Sequence, residues 1–136
     1  MNRLTSVNTE LVERIQQQAQ AELDELMQAL SGLSAGVIAT ADGFEVAAQA
    51  KAGVEVAKLA AMACSISALG AMVGQESAIG HYQNVVVEAD EGYVLILDIP
   101  HPVYPMILNL VAARNEVLGQ VLYLAKRAVA RVAKVN

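Results

Sequence analysis

The chain has few of the residues from which chemical sites are usually built. Its 136 residues include one cysteine, two histidines, four tyrosines, one phenylalanine and no tryptophan. One cysteine cannot form an internal disulfide. A net charge of −5 and so few aromatic rings leave neither the basic groove nor the stacking platform that nucleic acid needs. We therefore expect no nucleic-acid partner.

Sequence motifs for nucleotides and metals are also missing. The glycines at positions 70, 74 and 80 lack the GxxxxGK[ST] spacing and the lysine of a phosphate-binding loop, so the chain is not expected to bind GTP itself. His81 and His101 have no cysteine near either of them, which predicts surface or loop histidines rather than a metal site. No cofactor and no metal are expected.

The residues that resemble catalytic groups have a simpler interpretation. Glu88, Asp90 and Glu91 fall at a predicted hairpin turn, where solvated charge is expected. Cys64 has alanines as its helical neighbours, which predicts a packed, inert thiol. The sequence therefore predicts no catalytic residue, no small-molecule substrate and no enzyme activity.

Neither the opening segment of the chain nor its longest uncharged run has the pattern of a targeting or membrane segment. The opening "MNRLTSVNTELVERIQQQAQ" is polar and has no apolar signal core. The run from 59 to 74 is shorter than the roughly 20 apolar residues of a membrane span and is bounded by Lys58 and Glu76. We expect one cytoplasmic domain over 1–136, with no membrane insertion.

What the chain has in excess is apolar surface, concentrated in "LAAMACSISALGAMVG". The hydrophobic fraction is 55% even without glycine, against roughly 45 to 50% with glycine in ordinary soluble proteins. On a helix this run has two apolar stripes. We expect the larger side chains to face the core and the smaller ones to face a second copy of the chain, although a helix covered on both sides within one domain is the alternative. The stripes are Leu59, Met62, Ile66, Leu69 and Val73, and Ala57, Ala61, Cys64, Ala68 and Ala71.

Three helices are predicted from the periodicity of apolar residues. The first begins near Asn8 or Thr9, either of which can cap it, and ends at Gly32. The middle helix spans about 54–77, and the last follows Asn115 as its cap. The apolar face of the first helix is Leu11, Ile15, Ala19, Leu23, Leu26 and Leu30, and that of the last is Val117, Leu118, Val121, Leu122, Ala125 and Val129.

Five strands are predicted between the helices. Asp42 and Gly43 suit a tight hairpin turn, and Gly92 closes a second, acidic turn. The run "YVLILDI" is apolar at consecutive positions, which predicts cover on both faces of that strand. All three prolines lie in the connector 100–105, which cannot be helical. The predicted strands span 36–41, 44–50, 85–87, 93–99 and 106–113.

This order of elements resembles the roadblock/dynein light chain family, which includes bacterial regulators of Ras-like GTPases. The matching segments are "GVIATADGFEVA", "LAAMACSISALGAMVG", "VVVEADEGYVLIL" and "LGQVLYLAKRAV", so the resemblance covers about residues 10–134. It implies a roadblock/profilin-like α+β fold of order α-β-β-α-β-β-β-α. In that fold a five-stranded antiparallel sheet has the middle helix on one face and the two terminal helices on the other.

The resemblance also implies a homodimer that pairs through the middle helices and the third strands. "NVVV" supports this pairing, because it is β-branched and free of the Pro or Lys that protects an exposed edge. The predicted interface is Ala57, Ala61, Cys64, Ala68, Ala71, Val85, Val86 and Val87.

Two classes of function follow, with a third in reserve. The resemblance implies a non-catalytic module that regulates or scaffolds a Ras-like small GTPase. The alternative is a structural adaptor without GTPase regulation. The reserve is a small-molecule sensor, which would turn polar groups inward; Asn109 and Asp98 are the obvious candidates, and each is expected at an edge or on the surface.

Overall fold

The computed structural model describes residues 2–136, with side chains from Thr9 onward. Its elements are, in order, α1 (Asn2–Ala29), β1 (Leu33–Thr40), β2 (Glu45–Ala50), α2 (Val56–Glu76), β3 (Asn84–Ala89), β4 (Gly92–Ile99), β5 (Met106–Ala113) and α3 (Leu118–Ala133). The predicted order of helices and strands is confirmed.

The five strands form one antiparallel sheet in the order β2-β1-β5-β4-β3. The helices α1 and α3 pack on one face and α2 packs on the other, as predicted. The strand β4 is covered on both faces, because Leu95 and Leu97 lie in the α1/α3 core while Ile96 contacts α2. The core therefore has two layers, separated by the sheet.

The predicted face of the first helix is confirmed and that of the last only in part, and both predicted caps are wrong. In α3, Val121 and Ala125 are buried as predicted, together with Ala128 and Val132, whereas Val117 and Leu118 are exposed at the N-terminal end of the helix. Every residue of the predicted face of α1 is buried. That helix already runs through Asn8 and Thr9, so neither residue is its cap. The residue at the N-terminal cap of α3 is Val117, because Asn115 lies in the turn before it. The carboxylate of Glu116 accepts a hydrogen bond from the Gly32 N–H (2.7 Å) and so ties this turn to the start of β1.

The proline connector is held by a histidine that was expected to lie in a loop or on the surface. His101 lies in the loop, but only 3% of it is exposed. Its Nδ1 accepts hydrogen bonds from the N–H groups of Val103 and Tyr104 (both 3.1 Å), so Nε2 carries the proton and donates to the Val135 carbonyl (2.6 Å). His101 thus joins the connector to the C-terminal end of the chain.

Candidate functional site

The middle helix lies on the sheet through its smallest residues. The buried residues of α2 are Ala60, Ala63 and Gly74. Small side chains let the helix backbone approach β1, β4 and β5 closely, and the Asn109 side-chain amide fixes it by donating to the Leu59 carbonyl (3.1 Å). The prediction that Asn109 lies at an edge or on the surface is therefore wrong: it is buried on the central strand β5. Its Oδ1 has no hydrogen-bond partner among the described residues.

The larger stripe of α2 is not its core-facing side, which corrects the sequence prediction. Leu59 and Ile66 pack against the sheet, half-buried. The other three members of the stripe are largely exposed: Met62 (53%), Leu69 (60%) and Val73 (62%). Met72, which lies between the two stripes, is exposed as well. The sheet is met most closely by Ala60 and Ala63, which lie between the two predicted stripes, and only part of each stripe packs beside them.

The smaller stripe is divided between the chain's own sheet and the surface. Cys64 and Ala71 are half-buried, whereas Ala57, Ala61 and Ala68 are exposed. The Cys64 thiol donates a hydrogen bond to the Ala41 carbonyl (2.7 Å), so this side of α2 is turned toward the β1–β2 turn. The exposed alanines consequently lie on the side of α2 away from β3.

The exposed apolar face of α2 is nearly continuous. By length and composition α2 could also cross a membrane, although a core helix passes the same test and one such helix is weak evidence. Only 11% of the 18-residue apolar stretch of this helix is buried within the chain. Contiguous exposed apolar surface of this kind usually marks an interaction site.

A groove of about 590 Å³ separates the second half of α2 from β3. Its walls include Leu69, Val73 and Val85, so the larger stripe of α2 is turned toward the β3 edge. Gly70 and Gly74 allow the helix to touch the loop that leads into β3. Ile79, the most exposed large apolar residue of this region at 79%, lies at the end of the groove.

Polar side chains fix the loop between α2 and β3. The hydroxyl of Ser67, on α2, and that of Tyr82, in the loop, are hydrogen-bonded to each other. Burial raises the pKa of Tyr82, the Ser67 hydrogen bond lowers it and the nearby Asp98 carboxylate raises it further. His81 Nε2 lies 3.0 Å from Asp98 Oδ2. Exposed in this loop, His81 agrees with its sequence prediction, while Asp98 is partly buried on β4 and paired.

The strand β3 is an open edge of the sheet. Within the described chain it pairs with β4 alone. Gln83 and Asp98 lie opposite each other next to the Asn84↔Leu97 pair, and the Asp98 N–H donates to the Gln83 carbonyl (3.2 Å), so they form a hydrogen-bonded pair. Hydrogen-bonded and non-hydrogen-bonded pairs alternate along an antiparallel ladder. The backbone N–H and C=O of Val86 therefore point away from β4, where a further strand would pair.

The opposite edge, β2, is covered by side chains of α1. The Lys51 N–H donates to the Ser34 carbonyl (2.9 Å), and by the same alternation the backbone groups of Ala48 point outward. The Gln20 side chain donates to the Ala48 carbonyl (3.0 Å) and to Asp24 (3.0 Å). Since native sheets protect the edges that do not pair, β3 is the edge available to a partner.

The charged residues reveal no catalytic or metal centre among the described side chains. No three His, Cys, Asp or Glu residues are close enough to hold a metal. Arg131 lies 3.3 Å from Glu22 and 3.6 Å from Glu25, so α1 and α3 neutralise each other there. The other described arginines also have partners in the chain: Arg14 with the Asn136 carbonyl, Arg114 with the Ala89 carbonyl and Glu88, and Arg127 with the Tyr123 ring. The side chain of Arg3 lies outside the described part.

Solved structures similar to this chain share one fold. The roadblock/LC7 domain from Streptomyces avermitilis is 20% identical, with a TM-score of 0.76 over 83% of this chain and 92% of that one. Myxococcus xanthus MglB is 13% identical, with a TM-score of 0.77 over 88% of each chain. MglB solved in a tetrameric arrangement is 18% identical, with a TM-score of 0.77 over 89% of each chain. No family model and no curated protein matches the sequence. The α-β-β-α-β-β-β-α chain described above therefore has the roadblock fold.

Proposed function

We propose that the chain is a non-catalytic homodimeric module of the cytoplasm that binds and regulates a Ras-like small GTPase. The observation that carries the proposal is the exposed apolar face of α2 beside the open edge of β3, because one contact with a second copy would cover both. The resemblance of the sequence segments to the roadblock family, which implies a regulator of Ras-like GTPases, supports the GTPase as partner, and the fold shared with MglB agrees with that resemblance. The tetrameric arrangement of MglB supports association of copies.

A single two-fold axis would let a second copy cover both the exposed face of α2 and the open edge of β3. Antiparallel pairing of β3 with its twin requires a two-fold axis normal to the sheet, which places both α2 helices on the same face. The side of α2 turned toward β3 carries Met62, Leu69 and Val73, so we add these to the predicted strand residues Val85–Val87 as the contact. The predicted contact through the alanine stripe stays a prediction, and the variants in the Discussion separate the two.

Val86→Pro should weaken the dimer without breaking the ladder between β3 and β4. The N–H that proline removes points outward, and it is lost from both copies because each carries the substitution. At roughly 1 kcal/mol for each lost hydrogen bond, the dissociation constant should rise about 30-fold. Analytical ultracentrifugation would measure it, and amide exchange should show a protected Val86 N–H in the unmodified dimer.

Ala48→Pro is the matched control for this strand-edge test. It also removes an outward N–H from an edge strand, but from the edge that Gln20 covers. The dissociation constant should stay within about twofold of the original, well below the effect of one net hydrogen bond. Rapid exchange at Val86, or equal weakening by both prolines, would mean that β3 is not the pairing edge.

The proposed regulation does not require a catalytic residue from this chain. A partner can accelerate GTP hydrolysis by inserting an arginine or by pressing the switch loops of the GTPase into place. Each described arginine is already held by a carboxylate, a carbonyl or a ring. We therefore propose that the chain orders the switch loops of the GTPase by direct contact.

Binding should depend on the nucleotide carried by the GTPase. Small GTPases from the same organism, loaded with a non-hydrolysable GTP analogue or with GDP, would be titrated into the protein by calorimetry. We expect the GTP form of one of them to bind at least about fivefold more tightly, because about 1 kcal/mol is the low end of the coupling free energy between two sites. Equal binding of both forms would favour the adaptor function, and no binding to any would reject GTPase regulation.

A further inference from the structure

The strand β3 is covered over its first residues and uncovered over its last. Asn84 and Val85 are half-buried and line the groove beside α2. Residues 86–89 are all exposed. On the α2 face of the sheet, Val87 (43% exposed) lies with Val94 in a second groove, which α2 does not reach. One end of β3 therefore has an apolar groove beside it, and the other end has an apolar patch without cover.

The residues of β3 alternate between the two faces of the sheet. Val85 packs with residues of α2, so Val87 lies on the same face, and Asn84, Val86 and Glu88 lie on the opposite face. The backbone N–H and C=O groups of these last three residues point away from β4, because Gln83 and Asp98 form a hydrogen-bonded pair and such pairs alternate. A further strand must therefore bind β3 through residues 84, 86 and 88.

A second copy of β3 can pair with the first in few registers. In each symmetric register one residue faces its own counterpart across the two-fold axis, because opposite residues of a ladder lie on the same face. With Val86 on the axis, all three outward-facing residues form hydrogen-bonded pairs: Val86 with Val86, and Asn84 with Glu88 in both directions. With Val85 or Val87 on the axis, only two such pairs lie within the strand. The register centred on Val86 therefore gives the longest ladder.

The side chains match in the same register. The Glu88 carboxylate would face the Asn84 amide of the second copy, which can donate a hydrogen bond to it. Within its own chain Glu88 lies 3.8 Å from the exposed Arg114, too far for a hydrogen bond, so the carboxylate can accept one from Asn84. On the other face Val87 would lie opposite Val85 of the second copy, beside its groove. Each copy would thus cover the uncovered end of the other.

We infer that β3 recognises a second copy of itself in one register, with Val86 on the axis and Asn84 bound to Glu88 in both directions. A register centred on Val87 would place the Glu88 carboxylate opposite Val86, and one centred on Glu88 would place two carboxylates opposite each other. The inference rests on the proposed homodimer and deepens it, because it assigns the residues that select this strand as the partner.

Disulfide trapping in the full chain would identify the register. Cys64→Ala removes the one native cysteine, and Val85, Val86 or Val87 is then replaced by Cys, one at a time. Opposite Cα atoms of a hydrogen-bonded pair lie about 5.5 Å apart, within the range of a disulfide, whereas diagonal neighbours lie about 7–8 Å apart. In a glutathione redox buffer Val86→Cys should form a covalent dimer. Val85→Cys and Val87→Cys should not do so alone, but a mixture of the two should form one.

Exchanging the two polar residues tests their contact. Asn84→Glu would place carboxylates opposite each other at both ends of the ladder and should raise the dissociation constant at least about fivefold. Adding Glu88→Asn restores the pair with the two roles exchanged, so the dissociation constant should return to within about twofold of the original. The two positions lie about 13 Å apart along one strand, so only a second copy can couple them.

Light scattering on the unmodified chain separates this inference from the proposed homodimer. A dimer that shows both the trapping pattern and the rescue supports the inference. A dimer trapped through position 85 or 87 alone or through none of the three positions, or one that Glu88→Asn does not rescue, overturns the register and leaves the homodimer standing. A monomer at micromolar concentration would reject the homodimer itself.

Discussion

Leu69→Glu should convert the dimer into monomers. Leu69 is 60% exposed in one chain and lines the groove beside β3, so in the proposed dimer it is covered by the second copy. A buried carboxylate without a partner costs about 3–5 kcal/mol. The dissociation constant should therefore rise at least about 100-fold, which size-exclusion chromatography with light scattering at micromolar concentration would detect.

Ala61→Glu is the matched control for this result. It places the same charge on the same helix, but on the side of α2 turned toward the β1–β2 turn and away from β3. The dimer should persist in this variant, and circular dichroism should show unchanged helix content in both. Ala68→Glu tests the predicted alanine stripe directly. If it and Ala61→Glu dissociate the dimer while Leu69→Glu does not, the alanine stripe is the interface.

The elements of this fold were predictable where one period dominates the sequence. The residues of α1 that recur at helical spacing are all buried, and β5 spans Met106–Ala113 as predicted. The strand β4 is apolar at consecutive positions, and helices cover both of its faces. In each case a single hydrophobic pattern specifies a single environment.

The orientation of α2 was not predictable, because nearly all of its faces are apolar. Helical periodicity divides such a segment into stripes without indicating which of them meets the sheet. One deciding contact is distant in sequence, because Asn109 donates to the Leu59 carbonyl, and another is local, because Gly74 meets the backbone of Gly80. The small residues that bring the α2 backbone close to the sheet are Ala60 and Ala63, which belong to neither predicted stripe.

The protection of the sheet edges also depended on tertiary contacts. The absence of Pro and Lys from "NVVV" indicated an open edge, and β3 is indeed at the edge of the sheet. That β2 is covered required knowing that Gln20, on α1, reaches the Ala48 carbonyl. Sequence alone therefore suggests an available edge, and only the fold identifies which of the two is free.

Gly74→Ala should destabilise the fold by about 2–3 kcal/mol, although alanine is the better helix former. A Cβ at this position would lie 2.2 Å from the Gly80 carbonyl oxygen, a backbone atom that cannot rotate away. Relieving the clash must move either the end of α2 or the loop that leads into β3, and Tyr82 ties that loop to Ser67. The close approach of α2 to this loop is therefore a requirement of the fold.

Gly119→Ala should change the free energy of unfolding in the opposite direction in the same experiment. Gly119 lies in the first turn of α3, where an added methyl group would have no described atom within 4 Å apart from its chain neighbours and the backbone of its own helix, so alanine there should stabilise the chain by about 0.5–1 kcal/mol. Both changes are best measured by urea unfolding in the Leu69→Glu background, because the stability of a monomer does not depend on protein concentration. Since the two substitutions share one chemistry, only the surroundings of the glycine can separate their effects. Stabilisation by Gly74→Ala would show that α2 is not held against the Gly80 backbone. The position of α2 that places Leu69 beside β3 would then be wrong.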